Sequence, residues 1–379
     1  MDLPQATMPP RTRIVLVKGT DGLGNRLLAI LSAIIYGRIS GREVVVDWRD
    51  GYYANLGTNA FPCLFRSNSV AALDRDFATD SVAPWMWKHH LHMSAEEMYE
   101  MLGPPGAQGC PFVGRLYSFD PDELNHPADV IVMWSLISLI GQLRRHFTGL
   151  WTEWKNLDEE TILARLLREN LEVHPEIAAR AEEIRGKWPD RPRIGVHARN
   201  TDRTTNLRRV RRALDNLLAE HPQAVIFLAT DSSGVENDFR RRYPEVLTVP
   251  KWFPPSGPLH TLKAPCPDRL GMAQASLVEM RLLTLCDHLI INGNSSFSQI
   301  TKLWWQGNPR DVIDVASWAW LPPIFRDHAW RSCAGLRWTP WIWSARRHIR
   351  KQRFGYDLPR TAIKSDQPRA ISGKDPSYP

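Results

Sequence analysis

Polar residues follow two apolar, strand-like stretches in the second half of the sequence, and their types suit a phosphorylated ligand. His197 and Arg199 lie at the end of the stretch IGVHA and just after it, and Thr230 and Asp231 end or follow AVIFLAT. An arginine can hold a phosphate through two parallel N–H bonds. Because ligands of open α/β sheets bind at the carboxyl ends of the strands, these residues are candidates for one binding site.

A third polar segment, Gly-Asn-Ser-Ser, follows the stretch HLIIN and leads into a predicted helix. Ser295 and Ser296 would place hydroxyls and backbone N–H groups at the helix N-terminus, where anions are favoured. Each segment alone is a weak signal. Three of them at one sheet edge predict a cleft for a nucleotide diphosphate.

A glycine-rich turn in the first half, GTDGLGNR, is a further candidate. It is neither G-x-G-x-x-G nor a Walker A sequence, because no Gly-Lys-Ser/Thr follows. Its glycines would let a ligand approach the backbone closely. A tight strand-to-helix turn without a ligand accounts for the same residues, and both interpretations stay open.

The elements that must position these loops alternate between strand and helix. Strands at 13–18 and 43–48 flank a helix over 27–39, and helical spacing returns over 158–187. From Arg193 onward, five short apolar strands are separated by helices, a pattern typical of a doubly wound sheet. Residues 50–125 have no regular pattern.

The chain has 379 residues, a length that favours two domains or one large one. The two alternating regions meet near 185–192. We therefore predict an α/β domain over 1–188, a Rossmann-like domain over 189–330, and a basic, Trp-rich segment and tail over 331–379.

The chain is basic, with a net charge of +7 and a pI of about 9.3, and most of its basic residues are arginines. A GC-rich genome that favours Arg codons would explain this, and so would anionic partners such as nucleotide diphosphates, nucleic acid or membranes. No RNP-type, helix-turn-helix or zinc-finger pattern is present, so a nucleic-acid partner is not predicted.

Cysteine and histidine give no metal or disulfide signal. The five cysteines lack metal-ligand spacing, and the HHxH cluster of His89, His90 and His92 has no carboxylate or cysteine to complete a site. We therefore expect reduced thiols and no bound metal.

Neither a signal peptide nor a membrane-spanning run is predicted, which favours a cytoplasmic location. The C-terminal tryptophans and arginines are a candidate for peripheral contact with the inner membrane. A C-terminal helix docked on the body of the protein is the alternative.

Several of these motifs resemble, in the same order, those of the fucosyltransferase superfamily. HARNTDR (197–203) is similar to the HxRRxD-type motif, FLATDSS (227–233) to the next strand-loop element, and residues 277–304 to the last family motif. GLGNRL, VVVDWRDGYY and TNAFP resemble the α1,6-fucosyltransferases of the nodulation NodZ type. The resemblance runs with gaps from about 14 to 305, and residues 65–185 contribute little to it.

The resemblance implies a GT-B glycosyltransferase, in which two Rossmann-like domains face a cleft. The donor, GDP-β-L-fucose, would bind the C-terminal domain and the acceptor mainly the N-terminal one. The transfer would invert the anomeric centre and need neither metal nor cofactor. The acceptor would be a GlcNAc-containing chitooligosaccharide, a lipopolysaccharide or an O-antigen glycan.

The same resemblance implies roles for individual residues. His197 and Glu279 would contact guanine, because a carboxylate can accept hydrogen bonds from N1–H and the N2 amino group together. Arg199 would neutralise the β-phosphate. The remaining donor-side residues would be Ser295 and Ser296, Thr230 and Asp231 after the middle strand, and Gly22, Gly24 and Asn25 in the first-domain loop.

Two departures from the family pattern leave the general base open. Asn200 stands where α1,6 enzymes often carry a second arginine, and Leu207 stands where animal enzymes carry a glutamate. Asp202 and Asp21 are the remaining carboxylates for this role, although Asp202 could instead cap the following helix. Another GDP-sugar, a protein hydroxyl acceptor and a catalytically silent nucleotide- or glycan-binding protein stay open as alternatives.

Overall fold

The computed structural model describes residues 13–102, 118–201, 205–254 and 266–316. The strands are β1 Ile14–Lys18, β2 Glu43–Asp47, β3 Phe65–Arg66, β4 Ala71–Ala72, β5 Val82–Ala83, β6 Val130–Met133, β7 Glu172–Val173, β8 Arg193–Ala198, β9 Val225–Thr230, β10 Val246–Leu247, β11 His288–Ile291 and β12 Val312–Asp314.

Helices connect the strands. They are α1 Leu23–Ser40, α2 Phe61–Leu64, α3 Ala95–Leu102, α4 Ile140–Leu143, α5 Glu159–Asn170, α6 Pro175–Gly186, α7 Leu207–Glu220, α8 Ser233–Arg242, α9 Arg269–Thr284 and α10 Ser296–Trp304. Short 3₁₀ turns cover Trp85–Trp87, Arg144–His146, Gly149–Asn156 and Pro309–Asp311.

Two five-stranded sheets form the framework of the described chain. The first has the order β4-β2-β1-β6-β5 and the second the order β10-β9-β8-β11-β12, and neighbouring strands are parallel throughout both. Strands β3 and β7 form a separate antiparallel pair. The prediction of parallel α/β architecture is confirmed, and the five strands predicted after Arg193 are those of the second sheet.

Alternate strand residues bury on opposite faces of each sheet. In β1, Val15 and Val17 join an apolar cluster that runs between the two sheets, whereas Ile14 and Leu16 join a cluster on the outer face. The second sheet behaves likewise: Phe227 packs into the shared inner cluster, and its neighbours along β9 pack under α7 and α8. Helices therefore cover both faces of each sheet, which is the doubly wound arrangement.

Helix α1 lies in the shared cluster and is apolar on almost every side, as expected for a fully buried helix. It ends at Gly41, whose φ of 68° is left-handed and whose N–H bonds to the Gly37 carbonyl. The helix begins at Leu23, four residues earlier than predicted. Its first turn therefore contains Gly24 and Asn25, so only residues 19–22 of the glycine-rich segment form the turn.

The region 158–187, predicted as helical, is two helices separated by a short strand. The break occurs because β7 pairs with β3 and Pro175 then starts α6, a position where proline is favoured. The predicted boundary near 188 falls between α6 and β8 and stays a prediction. Segment 331–379 lies outside the described residues. In the part of the chain that is described, no helix is long and apolar enough to cross a membrane.

Candidate active site

A cleft of about 810 Å³ opens where the carboxyl edge of the second sheet meets the N-terminus of α1. The structure brings together most of the residues predicted for the site. Those that line the cleft are Gly22, Gly24, His197, Arg199, Thr230, Asp231, Glu279 and Ser296.

Three further predicted residues lie beside the cleft without lining it. Asn25, in the first turn of α1, donates from Nδ2 to Asp21 Oδ2 at 2.8 Å, and Asp21 lies in the loop before the helix. Ser295 is buried at the N-cap of α10. Asp202 lies outside the described residues.

The cleft also contains residues that the sequence did not single out. Tyr52, Tyr53, Lys251, Arg269 and Phe297 are among them. A signal existed for the two tyrosines, because they follow β2 and so belong to a carboxyl strand edge. Lys251 follows the short β10, inside a Pro-rich region that gave no motif.

The N-terminus of α10 forms one wall of the cleft. Its N-cap residue, Ser295, makes no side-chain capping bond, and its buried Oγ has no hydrogen-bond partner among the described residues. The first N–H groups of a helix carry partial positive charge. This wall therefore offers N–H groups to an anion, and the unsatisfied Ser295 hydroxyl lies buried beside it.

The N-terminus of α1 faces that wall at very short range. A Cβ placed on Gly24 would lie 2.3 Å from the carbonyl carbon of Ser296 and 2.6 Å from the amide nitrogen of Phe297. Only glycine allows this approach. The N-cap of α1, Gly22, provides no side-chain cap either, so two helices present uncapped N-termini to one cleft.

Arg199 enters the cleft from the loop after β8. Its Nε lies 3.8 Å from Asp231 Oδ2, and both side chains are largely buried. Asp231 also accepts the Asn200 N–H at 2.7 Å and the Thr201 hydroxyl at 2.6 Å. Asp231 therefore holds the loop on which Arg199 stands.

Thr230 strengthens the same connection between strands. Its hydroxyl donates to the Ala198 carbonyl at 2.6 Å, which ties the end of β9 to the end of β8. Thr230 and Asp231 thus line the cleft, but their side chains are hydrogen-bonded to the end of β8 and the loop after it. These bonds fix the position of the Arg199 guanidinium.

His197 lies at the inner end of the cleft as a neutral ring. Burial, with Arg199 and Lys251 adding to it, lowers the pKa of His197 to about 3. Its Nδ1 lies 2.6 Å from Ser298 Oγ, and the ring stacks on Phe297 with centroids 4.6 Å apart. A neutral imidazole held in this way offers one donor or one acceptor at its other nitrogen.

Glu279 projects from α9 into the same end of the cleft and pairs with Lys251. The Lys251 Nζ lies 2.5 Å from Glu279 Oε1, and the two side chains are 1% and 5% exposed. Burial raises the pKa of Glu279, and the ammonium of Lys251 opposes that shift.

The carboxyl edge of the first sheet carries a buried charged cluster. Arg26 Nη1 lies 2.7 Å from Asp50 Oδ2, and the guanidinium lies 4.7 Å from the centre of the Tyr53 ring. Nearby, Glu96 accepts a hydrogen bond from the Thr20 hydroxyl at 3.1 Å. Burial and the neighbouring Asp50 raise the pKa of Glu96 to about 7, so this carboxyl titrates near neutrality.

Possible metal ligands are not clustered in the part of the chain that the structure describes. Among the described residues, no group of three or more His, Cys, Asp or Glu side chains is arranged to hold an ion. His89 instead lies 3.5 Å from Asp80, and the rings of His90 and His92 are 6.4 Å apart.

Comparisons of sequence and of structure both find similarity to nodulation protein Z. The family model of nodulation protein Z (NodZ) matches residues 160–314. Nodulation protein Z of Bradyrhizobium diazoefficiens is 26% identical over 321 residues, which is 77% of this chain and 79% of that protein. The protein of the same name from Sinorhizobium fredii is 26% identical over 316 residues, 77% of this chain and 90% of that protein.

The chain is therefore similar to fucosyltransferases of the NodZ type. The crystal structure of fucosyltransferase NodZ from Bradyrhizobium superposes with a TM-score of 0.52 at 23% identity, over 77% of this chain and 93% of that one. NodZ α1,6-fucosyltransferase co-crystallised with GDP gives a TM-score of 0.52 at 23% identity, over 77% and 92%. The predicted GT-B fold is confirmed by these matches.

Proposed function

We propose that this chain transfers L-fucose from GDP-β-L-fucose to a glycan hydroxyl, with inversion and without a metal ion. Two kinds of similarity support the proposal: the match to nodulation protein Z sequences, and the shared fold with a NodZ fucosyltransferase that was crystallised with GDP. The arrangement of the cleft supplies the chemical argument.

One observation carries the proposal: the uncapped N-termini of α1 and α10 meet beside Arg199. Backbone N–H groups from two helices and a guanidinium then face one volume, and the buried Ser295 hydroxyl lies beside it. This combination suits a diphosphate, because helix N-termini favour anions and arginine binds phosphate oxygens in a fork.

The reaction follows from that placement. The acceptor oxygen attacks C1 of fucose from the face opposite the diphosphate, and the C1–O bond breaks with its electron pair going to the β-phosphate oxygen. The leaving GDP gains negative charge in this step. Arg199 and the helix N–H groups stabilise that charge where it develops.

The acceptor hydroxyl loses its proton in the same step. We propose Asp21 as its acceptor, with Asp202 as the alternative. Asp21 is half-buried and precedes Gly22, which lines the cleft. Its backbone is left-handed, with a φ of 55°, and its carbonyl accepts a bond from Arg26 Nε at 3.0 Å, so the loop is fixed against the buried cluster.

For the acceptor we propose the carboxyl edge of the first sheet. A second cavity of about 550 Å³ lies there, and its lining mixes charged side chains with the exposed Leu56. Sugar hydroxyls and the apolar faces of a sugar ring would both find partners in it. A GlcNAc-containing chitooligosaccharide, lipopolysaccharide or O-antigen glycan is the proposed class.

Arg199→Ala tests the placement of the diphosphate. We expect fucose transfer to fall by roughly 100-fold or more, the scale at which removing one charge-stabilising donor acts. Circular dichroism should show an intact fold. Arg212→Ala is the matched control, because Arg212 is exposed on α7 and should leave turnover unchanged. Near-normal transfer by the Arg199 variant would remove the diphosphate from this wall.

Donor choice tests the reaction itself. GDP, UDP, CDP and TDP should be titrated into the purified protein in EDTA, followed by GDP-fucose and GDP-mannose with slow donor hydrolysis as the readout. We expect a preference for GDP and GDP-fucose. Preference for UDP, or binding only after a divalent ion is added, would contradict the proposal.

A further inference from the structure

The turn between β1 and α1, residues 19–22, lies between the two cavities of the site. Gly22 lines the cleft proposed for the donor, and Gly19 lines the second cavity, proposed for the acceptor. Asp21, the proposed proton acceptor, lies between these two glycines in the chain. Its left-handed backbone, with a φ of 55°, is a conformation that persists only where surrounding contacts hold it.

Two side chains from other elements hold this turn. Arg26 Nε donates to the Asp21 carbonyl at 3.0 Å, and the Thr20 hydroxyl donates to Glu96 Oε1 at 3.1 Å. Arg26 is itself fixed by its ion pair with Asp50 at 2.7 Å. Because Thr20 is buried, bulk water does not compete with Glu96 for its hydroxyl. The position of the turn therefore depends on these two contacts.

A carboxyl group is an expensive choice for the second contact. Burial and the neighbouring Asp50 raise the pKa of Glu96 to about 7, and its Oε2 is buried with no hydrogen-bond partner among the described residues. A glutamine would offer Thr20 the same kind of acceptor without a charge to bury. A purely structural role does not need an acid here, whereas a role that depends on its charge does.

The surroundings of Glu96 contain several charged or titratable groups. They are Asp50 and Tyr52 after β2, Arg26 in α1, Asp21 in the turn, Lys18 at the end of β1 and Glu97 in α3. Burial and the charge of Glu96 raise the pKa of Tyr52, so the phenol keeps its proton at neutral pH. Lys18 pairs with Asp47 at 2.6 Å, and Glu97 accepts the Ser94 N–H at 2.7 Å. We therefore assign a change of charge near neutrality to Glu96.

We propose that Glu96 is a positioning residue for the transfer: its carboxylate holds Thr20, and thereby the turn that carries Asp21, in place between the two cavities. The inference rests on the proposed function and adds to it a residue that acts through the turn without touching a substrate. An ionised carboxylate accepts a hydrogen bond about twice as strong as a neutral acceptor does. The turn is therefore held more firmly above neutral pH than below it.

The donor side of the turn does not depend on this bond. Gly22 is the N-cap of α1, and its carbonyl accepts the N–H groups of Asn25 and Arg26 at 3.0 and 3.2 Å. The helix thus holds Gly22 even when Thr20 is released. Loss of the Thr20 bond should slow the transfer step and leave GDP binding unchanged.

The dependence of kcat on pH tests the proposal, with saturating GDP-fucose and a chitin oligosaccharide as substrates. The wild-type kcat should rise about fivefold as pH passes through about 7, the ratio expected when a neutral acceptor becomes a charged one. Glu96→Gln should lack this rise and keep the low-pH rate throughout. Its GDP dissociation constant should stay within about twofold of wild type, since binding does not use the bond. Glu100→Gln, exposed on the same helix, is the control and should keep the wild-type profile.

A pair of Thr20 variants tests the other partner of the bond. Thr20→Val keeps the shape but loses the hydroxyl, so kcat above neutral pH should fall roughly 10-fold or more and no longer rise with pH. Thr20→Ser keeps the hydroxyl and should restore the rise. Thr152→Val, at an exposed threonine of a 3₁₀ turn, is the matched control and should leave the rate unchanged.

A wild-type protein that transfers fucose with no step in kcat near neutral pH would overturn the inference, and this measurement needs no variant to fold. The same step in Glu96→Gln or Thr20→Val would also overturn it, because the step would then belong to another group. A wild-type protein that transfers no fucose would instead contradict the proposed function, and the inference would fall with it.

Discussion

Replacing Gly24 with alanine should separate the two walls of the cleft. The added Cβ would lie 2.3 Å from the Ser296 carbonyl carbon and 2.5 Å from its oxygen, and both atoms belong to the backbone. Backbone atoms at the start of a helix cannot move aside as a flexible side chain would. The N-termini of α1 and α10 must then move apart.

The size of the effect follows from these distances. Carbon atoms in contact normally lie about 3.5–4.0 Å apart, so the helices must separate by roughly 1 Å. Overpacking of this kind costs about 1–3 kcal/mol of unfolding free energy. Alanine returns roughly 0.5–1 kcal/mol through its better helix propensity. A net loss of about 0–2.5 kcal/mol in unfolding free energy remains. A 1 Å misplacement of reacting groups can cost ~100-fold in rate, so the loss of transfer should exceed the loss of stability.

The assay compares Gly24→Ala with Gly186→Ala in urea unfolding, GDP titration and fucose transfer. Gly186 ends α6, and a Cβ there would meet no atom of the described chain within 4 Å. Its replacement should be neutral or slightly stabilising and should leave transfer unchanged. If Gly24→Ala kept its transfer rate and GDP affinity within about twofold of wild type, the two helices would not need this contact, and the account of the diphosphate site would fail.

Two further variants test neighbouring groups. The folded protein holds a proton on Glu96 up to about pH 7, whereas the unfolded chain releases it near pH 4.5, so the unfolding free energy should fall across that range. Glu96→Gln should reduce this fall by up to ~3 kcal/mol. If the variant and the wild type showed the same dependence of unfolding free energy on pH, the raised pKa of Glu96 would be contradicted. Ser295→Ala removes a buried hydroxyl that lacks a partner among the described residues, so stability should hold within ~0.5 kcal/mol while GDP binds roughly tenfold more weakly. Unchanged GDP affinity would remove Ser295 from the diphosphate site.

Much of the fold could be predicted from the sequence because its signals are local. Apolar stretches such as those of β9 and β11 are bounded by polar turns, and their alternation with helices indicates parallel sheets. Element ends were less predictable. Helix α1 extends to Leu23 because the first turn of a helix tolerates residues such as Gly24 and Asn25, which the apolar pattern excludes.

The candidate site was predictable where its residues follow strands and hidden where they do not. His197, Arg199 and Asp231 lie at strand ends, so the topology alone places them together. Lys251 reaches the cleft from an irregular segment, and Glu96 reaches the buried charged cluster of the first sheet from the start of α3. Nothing local in their sequence marks either residue, because their properties depend on burial and on Glu279 or Asp50.

The apolar cluster between the two sheets limits how the two halves of the chain can be recombined with those of other proteins. Strand residues from both sheets, including Val15 and Phe227, share it with α1, α9 and α10, and α10 packs directly against α1. Each half therefore completes the interior of the other. A chimera that joins the first half of this chain to the second half of a distant relative would combine apolar surfaces that were never selected to fit each other. We therefore expect the two halves to pack well only when both come from the same protein.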